Sequence, residues 1–344
     1  MADKNTRFGI GVVGAGMGAK PHALALQSLS DTIEVVGVFR RDSEQRRQFC
    51  QTYGFSEAES LEALLADPRI DALLVLTPPN ARESIVRDAA AAGKHVLLEK
   101  PVERTLAAAE RIVDIADGAG ITLGVIFQHR FRQASRYLAE AVEEERFGRI
   151  DAVTLFVPWW RPQSYYDQPG RGTLAQDGGG VLITQAIHSL DLMLSLCGEV
   201  SAVTAMAKTT RLHRMETEDF VSAGLEFASG AVGAVTATTA SFPGGPESLT
   251  INFSTATATL TAGNLTIQTM AGETIAIGEA SQGGSGADPM AFPFDWHAAQ
   301  IADFVQAVRQ GRAPLSTGHT ALRVHRLIDA MVRSAGEGRR VVLP

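Results

Sequence analysis

Short apolar runs and longer amphipathic stretches alternate through the first third of the chain. The runs Phe8 to Val13, Glu34 to Phe39, Ala72 to Thr77, His95 to Glu99 and Thr122 to Ile126 read as strands. Helical periodicity fills the gaps over Pro21 to Ser28, Glu44 to Gln51, Leu61 to Ala66, Arg82 to Ala92 and Leu106 to Ala119, with turn signals at Gly54, Asp67-Pro68, Pro78-Pro79 and Gly93. Strand and helix in alternation predict βαβ units and a parallel, doubly wound sheet.

Beyond about residue 150 the texture changes. Alternating Thr/Val/Ala-rich runs follow one another without helices between most of them: Ala152 to Val157, Ala202 to Thr209, Phe220 to Phe227, Ala231 to Thr239, Leu249 to Ser254, Thr257 to Thr261 and Leu265 to Thr269. Tight turns such as Ala228-Ser229-Gly230 make this an open, mainly antiparallel sheet in an α+β domain. Its helices are expected over Arg132 to Glu145, Val181 to Leu196, Trp296 to Arg309 and Thr320 to Ser334, and the glycine-rich stretch Ser281 to Asp288 reads as a mobile loop.

Composition narrows the class. A length of 344 residues favours two domains, and 45% hydrophobic with 20% charged residues is that of a globular chain. A net charge of −7 gives no electrostatic footprint for nucleic acid or an anionic membrane. The two cysteines, Cys50 and Cys197, form no disulfide framework and no C-x-x-C spacing. Phe8 to Val13 is too short for a secretory core and no segment has the length of a membrane span, so a cytoplasmic protein is expected.

The chemistry begins where the first strand runs into Gly14-Ala15-Gly16-Met17-Gly18-Ala19 and then a helix. Read as G-x-G-x-x-A, this loop turns tightly at Gly14, admits a pyrophosphate at Gly16, and packs helix on strand at Ala19, with helix N-terminal amides meeting the phosphate charge. Gly14, Gly16, Met17, Gly18 and Ala19 are therefore cofactor-binding candidates. At the end of the second strand, where an NAD site places Asp or Glu, stand Arg40 and Arg41. Paired guanidinium groups suit a 2′-phosphate, so NADP(H) is expected over NAD(H). The alternative is that both arginines are solvated and that Asp42 supplies the acid from a slipped register.

The strand His95 to Glu99 delivers Glu99-Lys100-Pro101 to the carboxyl edge of the sheet, where a doubly wound fold keeps its ligands. Strand alternation sends Glu99 and Lys100 to opposite sides, leaving Lys100 able to face the cofactor. In the second domain Gly178-Gly179-Gly180 precedes a helix whose Gln185, His188 and Asp191 are spaced by three and share a face. By itself His188 reads as a core histidine; the pairing with Lys100 makes both catalytic candidates. Asp191 reads as structural.

These residues resemble the Gfo/Idh/MocA oxidoreductases, the family of glucose-fructose oxidoreductase and inositol dehydrogenase, over essentially the whole chain. The resemblance rests on the phosphate loop followed by His22, on Thr77-Pro78-Pro79-Asn80, on Glu99-Lys100-Pro101, on Gly178-Gly179-Gly180 with Gln185, His188 and Asp191, and on Ile301-Ala302-Asp303-Phe304 with Gly311-Arg312. It implies a Rossmann domain, expected at 1–123, and a substrate-binding and oligomerisation domain at 124–344. It also implies NAD(P)-dependent redox chemistry on sugars, polyols or similar alcohols, and homodimers or homotetramers built through the sheet face. Thr77, Pro78, Asn80, Glu99 and Lys100 join the cofactor-binding candidates on this ground. Members similar to inositol dehydrogenase carry Asp or Asn one turn before the histidine where this chain has Thr184. A threonine can hydrogen-bond His188 but cannot stabilise an imidazolium by charge, which shifts more of the proton transfer to Lys100.

Oxidising a secondary alcohol removes the hydroxyl proton as hydride leaves, and the developing alkoxide needs a donor or cation nearby. Lys100 supplies that charge and His188 an acid/base partner. Substrate candidates are Gln128 and Arg130 after the fifth strand, Thr184, Gln185 and His188 on the helix, and Trp160, Arg161 and Arg171 in an aromatic-proline segment. That segment suits either a sugar ring or a subunit interface; a strand-end salt bridge would equally explain Arg130. His297 is a weaker candidate. His213, His319 and His325 show no metal-ligand spacing, and no metal is expected. The leading expectation is an NADP(H)-dependent oxidoreductase of a sugar, polyol or sugar acid. The alternatives are a dehydrogenase of a cyclic aromatic dihydrodiol and a non-catalytic NADP(H)-sensing regulator.

Overall fold

The computed structural model describes residues 7–278 and 293–344, so the loop expected at Ser281 to Asp288 lies outside the described residues. In chain order the elements are β1 (Phe8–Val13), α1 (Lys20–Ser28), β2 (Ile33–Phe39), α2 (Ser43–Tyr53), α3 (Leu61–Ala66), β3 (Ala72–Val75), α4 (Arg82–Ala91), β4 (His95–Leu98), α5 (Leu106–Ala119) and β5 (Leu123–Val125). They continue as α6 (Gln133–Glu143), β6 (Ile150–Pro158), α7 (Gln163–Tyr166), α8 (Ile187–Cys197), β7 (Val200–Lys208), β8 (Phe220–Phe227), β9 (Val232–Thr238), β10 (Ser248–Phe253), β11 (Ala256–Thr261), β12 (Asn264–Thr269), β13 (Thr274–Ile277), α9 (Asp295–Gln310), α10 (Gly318–Glu337) and β14 (Val341–Val342).

Two units emerge: 1–103 with 107–126 and 293–321, and 104–106 with 127–292 and 322–344. The boundary expected after residue 123 falls instead after Ile126, and α9, expected in the second domain, belongs to the first. The reason is packing. Ile301, Phe304 and Val305 of α9 share one apolar core with Phe8, Ile10, Val12, Leu26, Leu74 and Leu97. Gln300 Nε2 also donates to the Val125 carbonyl at 2.7 Å.

The first unit carries a five-stranded sheet in the order β2-β1-β3-β4-β5, every pair parallel. β1, β3 and β5 are buried along their whole length, as strands covered on both faces must be. The second unit holds a nine-stranded sheet, β13-β12-β11-β10-β6-β9-β8-β7-β14, antiparallel except where β6 pairs with β9. Its strands alternate: Val153, Leu155, Val221, Leu225, Ile251 and Leu260 are buried, while Thr154, Phe156, Gly224, Thr250 and Thr259 are exposed or half-buried. The pattern did not expose β13 and β14, because β13 buries no residue and β14 has only two.

Candidate active site

In the first unit the β1–α1 connection forms the expected loop. Gly14 has φ +99°, and a Cβ there would meet the Leu76 carbonyl carbon at 2.9 Å; at Gly16 and Gly18 a Cβ would project into open space. Ala19 is buried, as close helix–strand packing requires. Met17 begins a single 3-10 turn, Met17–Ala19, that leads into α1. This leaves bare backbone beside a helix N-terminus, a shape that fits a dinucleotide pyrophosphate. Thr77 Oγ1, at the carboxyl end of the neighbouring strand, is buried without a hydrogen-bond partner among the described residues, a polar atom such a ligand could satisfy.

β2 ends at Phe39, so Arg40 and Arg41 follow it directly. The Arg40 guanidinium donates to the Ala15 carbonyl of the loop and to Gln45 Oε1, and Arg41 is exposed. Asp42 is the N-cap of α2, accepting from the Gln45 amide at 3.0 Å.

The turns after β3 and β4 are joined by a residue that the sequence pattern did not single out. Arg82, the first residue of α4 and buried, donates from Nε and Nη2 to the Thr77 carbonyl at 3.0 and 2.7 Å and from Nη1 to the Glu99 and Pro101 carbonyls. It therefore fixes the backbone on both sides of Lys100, whose peptide to Pro101 is cis. Pro78 leads into the turn Pro79–Ala81, which contains Asn80. β4 stops at Leu98, with the Glu99 amide still donating to the Val75 carbonyl at 2.9 Å, so the strand hands over to the turn at Glu99.

Glu99 accepts from His22 Nε2 at 2.9 Å, and the His22 ring meets that of His297 edge-on at 4.7 Å between centroids. Burial alone would raise the Glu99 carboxyl; the His22 hydrogen bond and the charges of His22, Lys100 and Arg82 reverse this and hold it at about 2. Burial first, then the charges of His22 and Lys100, bring His297 down to about 3 against the pull of Glu99. Among the described residues, His22, Glu99 and His297 are the group able to hold a metal ion, with donor atoms within 4.8 Å of one another. Sequence spacing could not reveal it, since His22 and Glu99 are 77 residues apart.

In the second unit the three glycines prepare a helix. A Cβ on Gly178, at φ +80°, would lie 2.5 Å from the Arg104 backbone, and one on Gly180 would lie 1.8 Å from the Glu218 carbonyl oxygen. Glu218 then receives the Gly180 amide at 3.0 Å and the Leu182 amide at 3.2 Å on its carboxylate. Burial raises this carboxyl, and those backbone bonds oppose the rise. The regular helix expected from Val181 is corrected by a π turn over Leu182–Ala186, with α8 starting only at Ile187. In the π turn the Thr184 amide and hydroxyl both donate to the Gly180 carbonyl, at 3.1 and 2.6 Å. The same hydroxyl reaches Gln185 Oε1.

Gln185, His188 and Asp191 are all buried. Arg130 grips Asp191 with both forks, Nε to Oδ2 and Nη2 to Oδ1, each at 2.6 Å. This is the strand-end ion pair that was one reading of Arg130. Burial raises the Asp191 carboxyl, with the Arg130 charge opposing. Gln128 Oε1 is buried without a hydrogen-bond partner among the described residues. In the aromatic segment Arg161 is buried and turned inward: its guanidinium lies 5.5 Å from the Trp159 ring and 5.8 Å from Tyr165, while Nη1 donates to the Trp160 carbonyl. Arg171 covers Tyr165 at 5.2 Å, so both arginines gather around one tyrosine. Trp160 pairs with Ala240 and packs against His213, whose Nε2 holds the Arg161 carbonyl at 2.8 Å.

A dinucleotide cradle in one unit and an ordered Gln-His-Asp helix in the other define an oxidoreductase with an NAD(P)-binding Rossmann fold. Residues 8–127 match the oxidoreductase family with NAD-binding Rossmann fold, and residues 135–259 match the GFO/IDH/MocA C-terminal domain. The chain belongs to the GFO/IDH/MocA family. It is 30% identical to the WlbA dehydrogenase from Bordetella pertussis, solved with NADH and UDP-GlcNAcA, over 98% of this chain and 99% of that one, with a TM-score of 0.83. It is 28% identical to D-xylose 1-dehydrogenase (NADP(+)) 2 of Haloferax volcanii over 97% of this chain and 99% of the relative. A 31% match to 1,5-anhydro-D-fructose reductase of Ensifer adhaerens covers 58% of this chain and 60% of the reductase. No helix among the described residues is long and apolar enough to cross a membrane.

Proposed function

We propose that the protein is an NADP(H)-dependent oxidoreductase that moves a hydride between the nicotinamide and a secondary alcohol or ketone of a sugar, polyol or sugar acid. The observation that carries this reading is the turn after β4. There Lys100 sits in the same unit as the phosphate loop, its flanking carbonyls held by Arg82. When bound, the nicotinamide accepts or gives the hydride. Lys100 offers a cation to the oxygen that becomes negative and exchanges its proton. His188 acts as the acid/base partner, with Gln128 and Gln185 as substrate-orienting amides.

Arg40 and Arg41 support NADP(H), since two guanidinium side chains follow β2 directly, at the strand end where an NAD site places an acid. Relatives named for D-xylose and 1,5-anhydro-D-fructose, and a neighbour that holds UDP-GlcNAcA, support a sugar-class substrate. The small, Thr-rich outer face of the nine-stranded sheet, with exposed Phe156, Met206 and Val232, supports homo-oligomerisation through that face. The test is Lys100→Met. NADPH binding by fluorescence titration should stay within about three-fold while turnover on a sugar and polyol panel falls by about a hundred-fold or more. Unchanged turnover would refute the assignment.

A further inference from the structure

A second imidazole lies against His188. His129, in the turn Gln128–Phe131 after β5, is buried, and its ring centroid is 5.1 Å from that of His188 with the planes 33° apart. Phe127 also meets the His188 ring edge-on, with centroids 5.9 Å apart. Behind His129, Arg132 Nη2 lies 2.7 Å from His129 Nε2, and Arg132 Nη1 donates to Glu247 Oε1 at 3.0 Å. Both of these charged side chains are buried. Burial lowers the Arg132 guanidinium, and the charge and hydrogen bond of Glu247 oppose that, so Glu247 helps to keep the donor charged.

A guanidinium offers donors and no acceptor. Nε2 of His129 must therefore present its lone pair to Arg132, and the ring proton must sit on Nδ1. While this bond stands, the ring cannot become an imidazolium, because the second proton would occupy the atom at which Arg132 is aimed. We propose that His129 is a positioning residue for His188: a neutral imidazole, locked in its Nδ1–H form by Arg132 and Glu247, that fixes the plane of His188 and leaves it the one ring of the pair able to change charge.

Two imidazoles this close would otherwise titrate as a coupled pair, each opposing the charge of the other. The charged and titratable groups around them are Arg132 beside α6, Glu247 before β10, and on α8 Asp191 with its partner Arg130. Locking one ring gives His188 a single proton equilibrium, which an acid/base role at one reacting oxygen requires.

The inference rests on the proton-transfer role proposed for His188, and its test has a readout independent of turnover. In protein labelled with nitrogen-15 at histidine, with His129 assigned by its loss in His129→Gln, the ring should stay neutral and Nδ1-protonated from about pH 5 to pH 8, where a free histidine changes charge. Arg132→Met should make His129 titrate and split the His188 limb of the kcat/KM pH profile into two steps; Arg132→Lys, which keeps a charged donor, should restore the single limb. If Arg132→Met fails to fold around the stranded Glu247, the pair Arg132→Met with Glu247→Met removes both charges and is read in the same way. A His129 that titrates in the unaltered protein, that carries its proton on Nε2, or that stays locked without Arg132 overturns the proposal. A fully active His188→Asn would instead sink the role of His188 and leave the His129 spectrum as it is.

Discussion

Replacing Arg82 by leucine tests whether one buried guanidinium organises the cofactor side of the first unit. Arg82 is only 3% exposed and serves three carbonyls, those of Thr77, Glu99 and Pro101. Burial lowers it to about 10, with Glu99 and Glu103 opposing, so it remains cationic at neutral pH. A hydrogen bond to a charged group contributes about 1.5–3 kcal/mol, and a buried acceptor left without its donor costs about 1–3 kcal/mol. The three carbonyls lose one donor together, so their costs do not simply add, and leucine recovers some apolar packing. The net loss in Arg82→Leu should be about 3 kcal/mol. Urea unfolding should show the midpoint falling with an unchanged m value. NADPH affinity and turnover should fall together, because the turn that carries Thr77 and the turn that carries Lys100 both lose their anchor. Arg82→Lys keeps the charge but not the planar fork that spans separate carbonyls, and should recover less than half of the loss. A leucine variant destabilised by less than about 1 kcal/mol, with normal NADPH binding, would refute the clamp.

The remaining predictions are more local. Arg40→Asp should move the ratio of kcat/KM values toward NADH, measured with both cofactors on one substrate; an unaltered ratio would place the 2′-phosphate contact elsewhere. Gly180→Ala would put a Cβ 1.8 Å from the Glu218 carbonyl oxygen. It should destabilise the protein by about 2 kcal/mol or more and lower kcat while NADPH affinity holds, and a variant with wild-type turnover would contradict the close approach. His297 is held down to about 3, so it stays neutral in the native protein while the unfolded chain takes up a proton below the ordinary value of 6.5. Stability should therefore fall as pH drops from about 6.5 toward about 3, at up to about 1.4 kcal/mol per pH unit. His297→Gln should flatten that slope in urea midpoints taken across the range, and an identical slope would disprove the contribution.

What could be read from the sequence was what a dozen adjacent residues decide. Gly14 to Ala19 needs only a strand before it and a helix after it to imply a phosphate loop, and Gly178 to Gly180 stands out before a helical pattern without saying what packs against it. The partner itself was not legible. Glu218 is 38 residues from Gly180, and nothing in helical periodicity says that its carboxylate will receive two amides there. The π turn over Leu182–Ala186 escaped too, since a π turn and an α-helix bury nearly the same apolar pattern.

Arginines were the hardest residues to place, because a pattern of polar and apolar positions treats every cation as solvated. Arg82 and Arg132 read only as the starts of helices, and Arg130 and Arg161 read as substrate candidates. All four are buried or nearly so, and each meets a fixed acceptor or ring: carbonyls for Arg82, Asp191 for Arg130, Trp159 and Tyr165 for Arg161, and His129 with Glu247 for Arg132. A guanidinium is weakly hydrated and presents five donors in one plane, so it can be buried at moderate cost wherever several acceptors converge. Loops after parallel strands produce such convergences, because their carbonyls are no longer paired within the sheet. In this protein Arg82, Arg130 and Arg132 anchor residues within the loops that follow parallel strands. The proposed function accordingly gives recognition of the substrate to neutral groups such as Gln128, Gln185 and His188, with Lys100 as its cation.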